Sequence, residues 1–506
     1  MRLSLLLLLA ALAALAACSD SGPTRPNVIL ITMDTVRADY VSCYGQPGGN
    51  AGGLTEGTTP ALDRLASMGA RFESAQSASA VTPVSHATIL TGQFPYTHRL
   101  RVLSGEGGSQ LDTEAPTLAT RFKAAGYTTV AVHSAFPVSS VFGFSNGFDI
   151  FESMEGDMAL DESKGKTTWD TQRFQRRSDE TSDRVLGALA GIEEPYFLWI
   201  HYWDPHDPHL KPPLEALRGL EGLGKIQGTV SPEYADFYAR EIAFQDSQIG
   251  RLLEELKVYD TNSNTVIAVT ADHGEGLADG MRLHGWSKHR MTYREQLWVP
   301  LILAGPGVPS GTTVSAQVRT ADVAPTLLDL AGLSTPAQDF DGISLRAHMD
   351  GSSQTPLIAY ADQINAFDWN AGMVAQRPGS AFMYSVSDGD WKLIYRPHMV
   401  ERSELFNLVQ DPTEANNVIE QQPDVARRLL EDLAERRPWV TRSYGQPGDD
   451  GSAEALAGLG YAAGSSAAGL VWTWSCPGHP GSEHEDSGRC SKEGCDQRMI
   501  PRTTWE

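Results

Sequence analysis

The chain is 506 residues long, with 63 acidic against 40 basic side chains and a formal net charge of −23. That excess of carboxylates excludes a general nucleic-acid binder, whose affinity would rest on a basic surface. It does not exclude an anionic ester as ligand, because a bound cation reverses the local field.

The opening reads as a targeting segment rather than part of the fold. Met1-Arg2 supplies a positive charge, and Leu3 to Ala17 is almost wholly Leu and Ala. It ends Leu15-Ala-Ala-Cys18, which resembles a bacterial lipobox, with cleavage before Cys18 and acylation of its thiol. Residues 1–18 are then a lipoprotein signal and 19–26 a polar tether. The expected location is the cell envelope of a bacterium, lipid-anchored on the periplasmic side of the inner or outer membrane. No other run is long and apolar enough to span a bilayer.

Asn27-Val-Ile-Leu-Ile-Thr-Met33 is a continuous apolar run, as in a buried parallel strand, and it ends at Asp34. A carboxylate at that end lies where open α/β sheets place ligands, although a lone Asp there is more often a turn or helix cap. Thr59-Pro60 starts a helix through Met68, stopped by Gly69. In Thr82-Pro-Val-Ser-His-Ala-Thr-Ile-Leu-Thr-Gly92 the proline predicts a turn, with Ser85 as N-cap of a short helix through Ile89 and Leu90, closed by Gly92. A hydroxyl just ahead of a helix N-terminus faces free N–H groups, where an anionic ester can be held for attack.

Pro116 to Ala125 predicts a helix and Tyr127 to His133 a strand; the alternation indicates a doubly wound sheet. Residues from Glu152 to Asp183 are polar and aperiodic and are expected to form a loop. Tyr196-Phe-Leu-Trp-Ile-His-Tyr-Trp203 is a further buried strand, emptying into Asp204-Pro-His-Asp-Pro-His209, dense in ligand-type side chains. Pro232 to Lys257 is a long helix with apolar residues at helical spacing. Thr265-Val-Ile-Ala-Val-Thr-Ala271 again ends in a ligand set, Asp272-His273-Gly274, followed by His284, Lys288 and His289. Leu297 to Leu303 is a further apolar run, and the helix Ala321 to Ala331 closes the main domain. From about Thr355 short alternating segments and a helix, Pro423 to Arg436, predict a smaller antiparallel subdomain. Gly448 to Gly469, rich in Gly, Ala and Ser, reads as a linker. The tail carries Cys476, His479, Cys490 and Cys495, a set that suits one tetrahedral Zn²⁺; a disulfide with a spare thiol is the competing arrangement.

Three strands thus end in Asp34, Asp204 and Asp272-His273, and one turn offers Thr82. Loops that converge on one sheet edge build one pocket. Two carboxylates, an imidazole and a threonine oxygen make a divalent-cation site that would lower the pKa of the Thr82 hydroxyl. His206 and His289 could then bind ester oxygens, protonate the leaving group or hold a second ion.

At this point the chain resembles the sulfatase family of the alkaline phosphatase superfamily. The carriers are Asn27 to Asp39, Thr82 to Gly92, Asp204-Pro-His-Asp-Pro208 and Val269-Thr-Ala-Asp-His-Gly274, supported by Val299-Pro300, Asp322 to Asp329 and Glu404 to Asn407. The resemblance implies an alkaline-phosphatase-like α/β/α sandwich over residues 27–350 with a C-terminal antiparallel subdomain over 355–440; composition places a linker over 441–469 and the Cys/His metal-binding tail over 470–506. The resemblance also implies Asp34, Asp272 and His273 as metal ligands; Asp204, by its own chemistry and place after a strand, is a candidate for a second site. Thr82 would be nucleophile and further ligand, and His206 a contact to the ester. His289 falls near a basic site residue, with His284 and Lys288 also candidates.

The departures are informative. Thr82 stands where the family carries the Cys or Ser that becomes formylglycine, and a secondary alcohol cannot become an aldehyde. His86 replaces the motif arginine, Thr35 the second Asp of an Asp-Asp pair, and Asp272-His273 an Asp-Asn pair. These changes favour Zn²⁺ or Mn²⁺ over Ca²⁺, which remains admissible. The expected activity is hydrolysis of a sulfate or phosphate ester, of a small molecule or glycan, through a metal-bound Thr82. A phosphoglycerol- or phosphoethanolamine-type transferase is the alternative on the same fold, and a degenerate glycan-binding lipoprotein is a third. The tail resembles a short heavy-metal-binding domain with a Cys-Pro-x-His-Pro opening.

Overall fold

The computed structural model describes residues 25–45, 58–100, 110–152, 175–206, 210, 212–213, 232–260, 262–277, 291–364, 382–397, 400–436, 470–476, 479–484 and 500–505. Cys18, His284, Lys288, His289, Cys490 and Cys495 lie outside them.

The main sheet comprises β1 (Asn27–Met33), β2 (Ala70–Gln76), β3 (Thr128–His133), β4 (Ile150–Glu152), β5 (Tyr196–Tyr202), β6 (Thr265–Ala271), β7 (Trp298–Val299), β8 (Leu301–Ala304) and β9 (Thr312–Arg319). Their order is β4-β3-β5-β1-β6-β8-β2-β7, with β9 pairing β2. The half from β4 to β6 is parallel, whereas β8 runs antiparallel to β6 and β2. β1, β5 and β6 are buried along their whole length, which is why each reads as an unbroken apolar run. The run Leu297 to Leu303 forms two strands, because Pro300 between β7 and β8 has no N–H for the ladder. β2 and β9 escaped the sequence reading: along each, buried positions are interrupted by half-exposed or exposed ones, and no apolar run marks them.

Helices α1 (Pro60–Met68), α4 (Ser178–Leu189) and α5 (Pro232–Glu255) pack together on one side of the sheet. Helices α2 (Thr82–Thr91), α3 (Leu118–Ala124) and α6 (Val323–Leu330) pack together on the other, giving the α/β/α sandwich. Helix α2 begins at Thr82, three residues before the expected Ser85 cap. Pro83 sits in its first turn, where a missing N–H costs nothing, and Gly92 ends it at φ 69°. Helix α4 likewise begins inside the segment expected to be loop.

β10 (Ala359–Ile364), β11 (Phe382–Ser387), β12 (Trp391–Tyr395) and β13 (Glu404–Asn407) form an antiparallel sheet covered by α7 (Pro423–Arg436). Leu429 and Leu433 of α7 are buried with Tyr384, Leu393 and Leu405. Tyr293 Oη donates to Glu404 (2.6 Å) and Arg294 N to Glu414 Oε2 (3.1 Å), which joins this sheet to the main domain, while Lys392 pairs with Glu414 (2.7 Å) within the subdomain. In the tail, β14 (Leu470–Cys476), β15 (His479–His484) and β16 (Ile500–Trp505) form an antiparallel sheet with Cys476 and His479 as cross-strand partners. Among the described residues no helix is long and apolar enough to cross a membrane.

Candidate active site

The parallel strands set the site. Met33 is in register with Tyr202 on one side and Ala271 on the other, so β1, β5 and β6 end level. The next residues continue the pairing: Asp34 N donates to the Tyr202 carbonyl (2.9 Å) and Asp272 N to that of Met33 (3.2 Å). Both carboxyls are thereby carried past the sheet edge side by side. His273 follows, its Nδ1–H donating to the Gly274 carbonyl (2.9 Å), which turns Nε2 towards Thr82. Gly274 is required here, since a Cβ would lie 2.1 Å from the Glu295 carbonyl oxygen.

Donor atoms of Asp34, Asp272 and His273 all lie within 4.8 Å of one another. Thr82 Oγ1 stands 3.3 Å from Asp34 Oδ2 and 3.3 Å from His273 Nε2, and His273 Nε2 is 3.5 Å from Asp272 Oδ2. Two ligands about 2.1 Å from a tetrahedral zinc are about 3.4 Å apart, so these separations are those of a preformed coordination shell. The remaining test is charge. Asp34 Oδ1 and Asp272 Oδ2 are buried without a hydrogen-bond donor. Burial first, and then the facing Asp272 charge, push the Asp34 carboxyl well above the usual carboxylate range. A divalent cation satisfies both oxygens and cancels that repulsion, and the oxygen-plus-imidazole donor set suits a borderline ion.

Thr82 is fully buried at the first position of α2. Ser85 and Ser77 donate to the Asp272 carbonyl (2.6 and 2.5 Å), pinning the first turn of α2 to the end of β6. His86 Nδ1 meets the Thr82 carbonyl at 2.8 Å, and burial holds this imidazole below its ordinary pKa. Thr35, at φ 55°, donates its N–H to Asp272 Oδ1 (3.1 Å).

Asp204 is treated differently. Its carboxylate accepts from Ser178 N (3.0 Å) and Ser178 Oγ (2.5 Å), capping α4, which has no side-chain cap of its own. It is not among the mutually close donors of Asp34, Asp272 and His273. His206 stacks on Trp203, centroids 3.8 Å apart at 25°. Residues the sequence reading passed over also stand here: Thr32, Ser77 and His201. His201 Nε2 is 3.6 Å from Asp34 Oδ2. The available signal was a lone histidine in the middle of an apolar strand.

The profile described as Sulfatase matches residues 26–333, which is 308 of the 506 residues. One described as N-sulphoglucosamine sulphohydrolase, C-terminal, matches residues 283–438. An N-acetylglucosamine-6-O-sulfatase of Bacteroides thetaiotaomicron is 25% identical, covering 82% of this chain and 87% of that protein. An arylsulfatase of Clostridium perfringens is also 25% identical, over 80% of this chain and 94% of its own. Among solved structures, a protein in complex with its substrate D-glucosamine-2-N,6-O-disulfate shares the fold with TM-score 0.61 at 21% identity, over 83% of this chain and 100% of that one. The phosphonate monoester hydrolase of Agrobacterium radiobacter shares it with TM-score 0.61 at 21% identity, over 82% and 96%. With the profile spanning more than half of the chain on the matching fold, the protein belongs to the sulfatase family and is a hydrolase of ester bonds.

Proposed function

We propose that the protein is a metal-dependent hydrolase of phosphate or sulfate esters that attacks through Thr82. The observation carrying this reading is the 3.3 Å approach of Thr82 Oγ1 to both Asp34 Oδ2 and His273 Nε2. A divalent ion, with Zn²⁺ or Mn²⁺ favoured, would be held by Asp34, Asp272, His273 and Thr82. When bound it would supply the positive charge that lowers the pKa of the Thr82 hydroxyl and neutralises an anionic ester. Asp34 Oδ2, the acceptor of the Thr82 hydroxyl, would take its proton as Oγ1 attacks in line, the helix start presents N–H groups to the ester oxygens, and the bond from phosphorus or sulfur to the leaving alcohol oxygen breaks. The covalent threonine ester is then cleaved by water, with His206 or His289 proposed as the base or as the acid for the leaving group.

The 25%-identical relatives are named as an N-acetylglucosamine-6-O-sulfatase and an arylsulfatase, which supports an anionic ester of a carbohydrate or aryl alcohol as substrate. Thr82 itself argues for phosphorus. Release from a formylglycine sulfate proceeds through the aldehyde hydrate, a route a threonine lacks, whereas charge on the non-bridging oxygens of a phosphate persists and is stabilised by a bound cation. Phosphate esters, diesters foremost, are therefore expected to turn over faster than sulfate esters. The test is a panel of bis(4-nitrophenyl) phosphate, 4-nitrophenyl phosphate and 4-nitrophenyl sulfate with metal-replete protein. Efficient sulfate hydrolysis with no phosphate turnover defeats the reading.

Two further assignments belong to this proposal. Acylation at Cys18 would tether the enzyme to the bacterial envelope, and Cys18→Ser should then leave the membrane fraction; retention would refute it. Cys476, His479, Cys490 and Cys495 would bind a separate zinc or heavy metal. Deleting residues 470–506 should lower bound metal and leave turnover intact, and lost turnover would refute that independence.

A further inference from the structure

Resting on Thr82 as the nucleophile, we infer that Thr32 is a positioning residue: its hydroxyl fixes the tautomers of the buried imidazoles of His86 and His201 and, through His86, holds the Thr82 backbone for attack. Thr32 lies on β1, two residues before Asp34, and is fully buried, as are Trp199, His86 and His201. Nothing in its own chemistry marks it as part of the reaction. Its surroundings do.

Four polar groups crowd Thr32 Oγ1: Trp199 Nε1 at 3.0 Å, His86 Nε2 at 3.0 Å, the Ile200 carbonyl at 3.3 Å and His201 Nδ1 at 3.4 Å. A hydroxyl offers one proton and two lone pairs, so the partners can be assigned by counting. Trp199 Nε1 can only donate and takes one lone pair. His86 Nδ1 faces the Thr82 carbonyl at 2.8 Å, and a carbonyl only accepts, so Nδ1 holds a proton. Its other ring nitrogen, Nε2, lies 3.0 Å from Thr32 Oγ1, nearer than the Ile200 carbonyl at 3.3 Å, and accepts there. That Nε2 receives the single Thr32 proton in preference to the more distant Ile200 carbonyl. One lone pair remains on Thr32, and His201 Nδ1–H fills it. His201 Nε2 has no hydrogen-bond partner among the described residues and stands 3.6 Å from Asp34 Oδ2, beyond hydrogen-bond reach.

The chain of contacts runs Trp199 on β5, Thr32 on β1, His86 on α2, then the carbonyl of Thr82 one turn earlier. It ties the rigid centre of the sheet to the residue that attacks. In-line attack needs the reacting atoms within about 3–3.5 Å, and a misplacement of about 1 Å costs on the order of 100-fold. A buried strut with each partner satisfied supplies that placement, and removing its hydroxyl leaves His86 Nε2 without a donor.

The test uses full-length protein, Thr32→Val and Thr32→Ser, with bis(4-nitrophenyl) phosphate as substrate, together with imidazole ¹⁵N spectra. Valine keeps the shape of threonine without the hydroxyl, and serine keeps the hydroxyl. Thr32→Val is expected to lower kcat by about 10- to 100-fold, with KM and bound metal per chain little changed; Thr32→Ser should recover most of that loss. The wild-type spectra should show His86 and His201 as the Nδ1–H tautomers. Wild-type kcat in Thr32→Val, a Thr32→Ser as slow as Thr32→Val, or an Nε2–H tautomer at His86 each overturns the proposal. Should Thr32→Val fail to fold, the wild-type spectra still decide it. Turnover surviving in Thr82→Ala would defeat the nucleophile reading while leaving the tautomer result standing, so the two failures are distinguishable.

Discussion

Asp34 and Asp204 follow neighbouring parallel strands, β1 and β5, and both are fully buried. Their hydrogen-bond accounts are opposite. Asp204 accepts from the backbone and the hydroxyl of Ser178 and serves as a helix cap supplied from a distant segment. Asp34 has one oxygen without any donor and the other beside Thr82, with Asp272 facing it. A buried carboxylate whose oxygens are filled is part of the scaffold. One with a bare oxygen, facing another such carboxylate, is a demand for a cation.

The largest expected effect is on the side of Asp34. Thr82→Ala should lower kcat by about 10⁴-fold or more, as removal of a nucleophile does, with thermal melting near that of the wild type. Retention of substantial turnover would remove Thr82 from the chemistry. Next, Asp34→Asn should weaken the catalytic ion by more than about 100-fold, beyond what loss of a supporting partner costs. Equilibrium dialysis with Zn²⁺ checks this, and unchanged affinity would erase the contrast with Asp204.

Asp204→Ala sharpens the comparison from the other side. It should destabilise the fold by about 1–3 kcal/mol, the cost of stranding Ser178, and leave active-site metal and kcat near wild type. A loss of metal equal to that of Asp34→Asn would instead restore Asp204 as a ligand. The last contrast is in pH. Burial pushes the Asp204 carboxyl up to about 6 from an ordinary 3.8. The folded state therefore holds this proton more tightly than the unfolded chain. The resulting stability is fully present below about pH 4 and is lost as pH rises through about 6, up to about 3 kcal/mol in all. Asp204→Asn does not titrate, so the stability of wild type relative to Asp204→Asn should fall between pH 4 and 7 in denaturant titrations. A difference independent of pH would refute the assignment.

How far the sequence carried the reading differs between elements. The apolar runs of β1, β5 and β6, the helix Pro60–Met68 and the antiparallel texture after Thr355 were visible because each pattern reports burial along a single element. The start of α2 was misplaced at Ser85, since a proline after Thr82 is compatible with a turn and with a first helical turn alike. Ser85 turned out to hold the Asp272 carbonyl, a contact across 187 positions that no local pattern contains.

What the sequence determined alone was therefore the set of strand-ending side chains of ligand type, Asp34, Asp204, Asp272 and His273, and the presence of Thr82 in a motif that lacks the formylglycine precursor. Those are facts of residue type and order. Which carboxylates stand bare and which are spent on a helix, and which imidazole a threonine hydroxyl serves, was decided only by the tertiary structure. Hydrogen-bond satisfaction is a property of neighbours in space, and Asp34 and Thr82, 48 residues apart, become neighbours only when the level ends of β1 and β6 meet the first turn of α2.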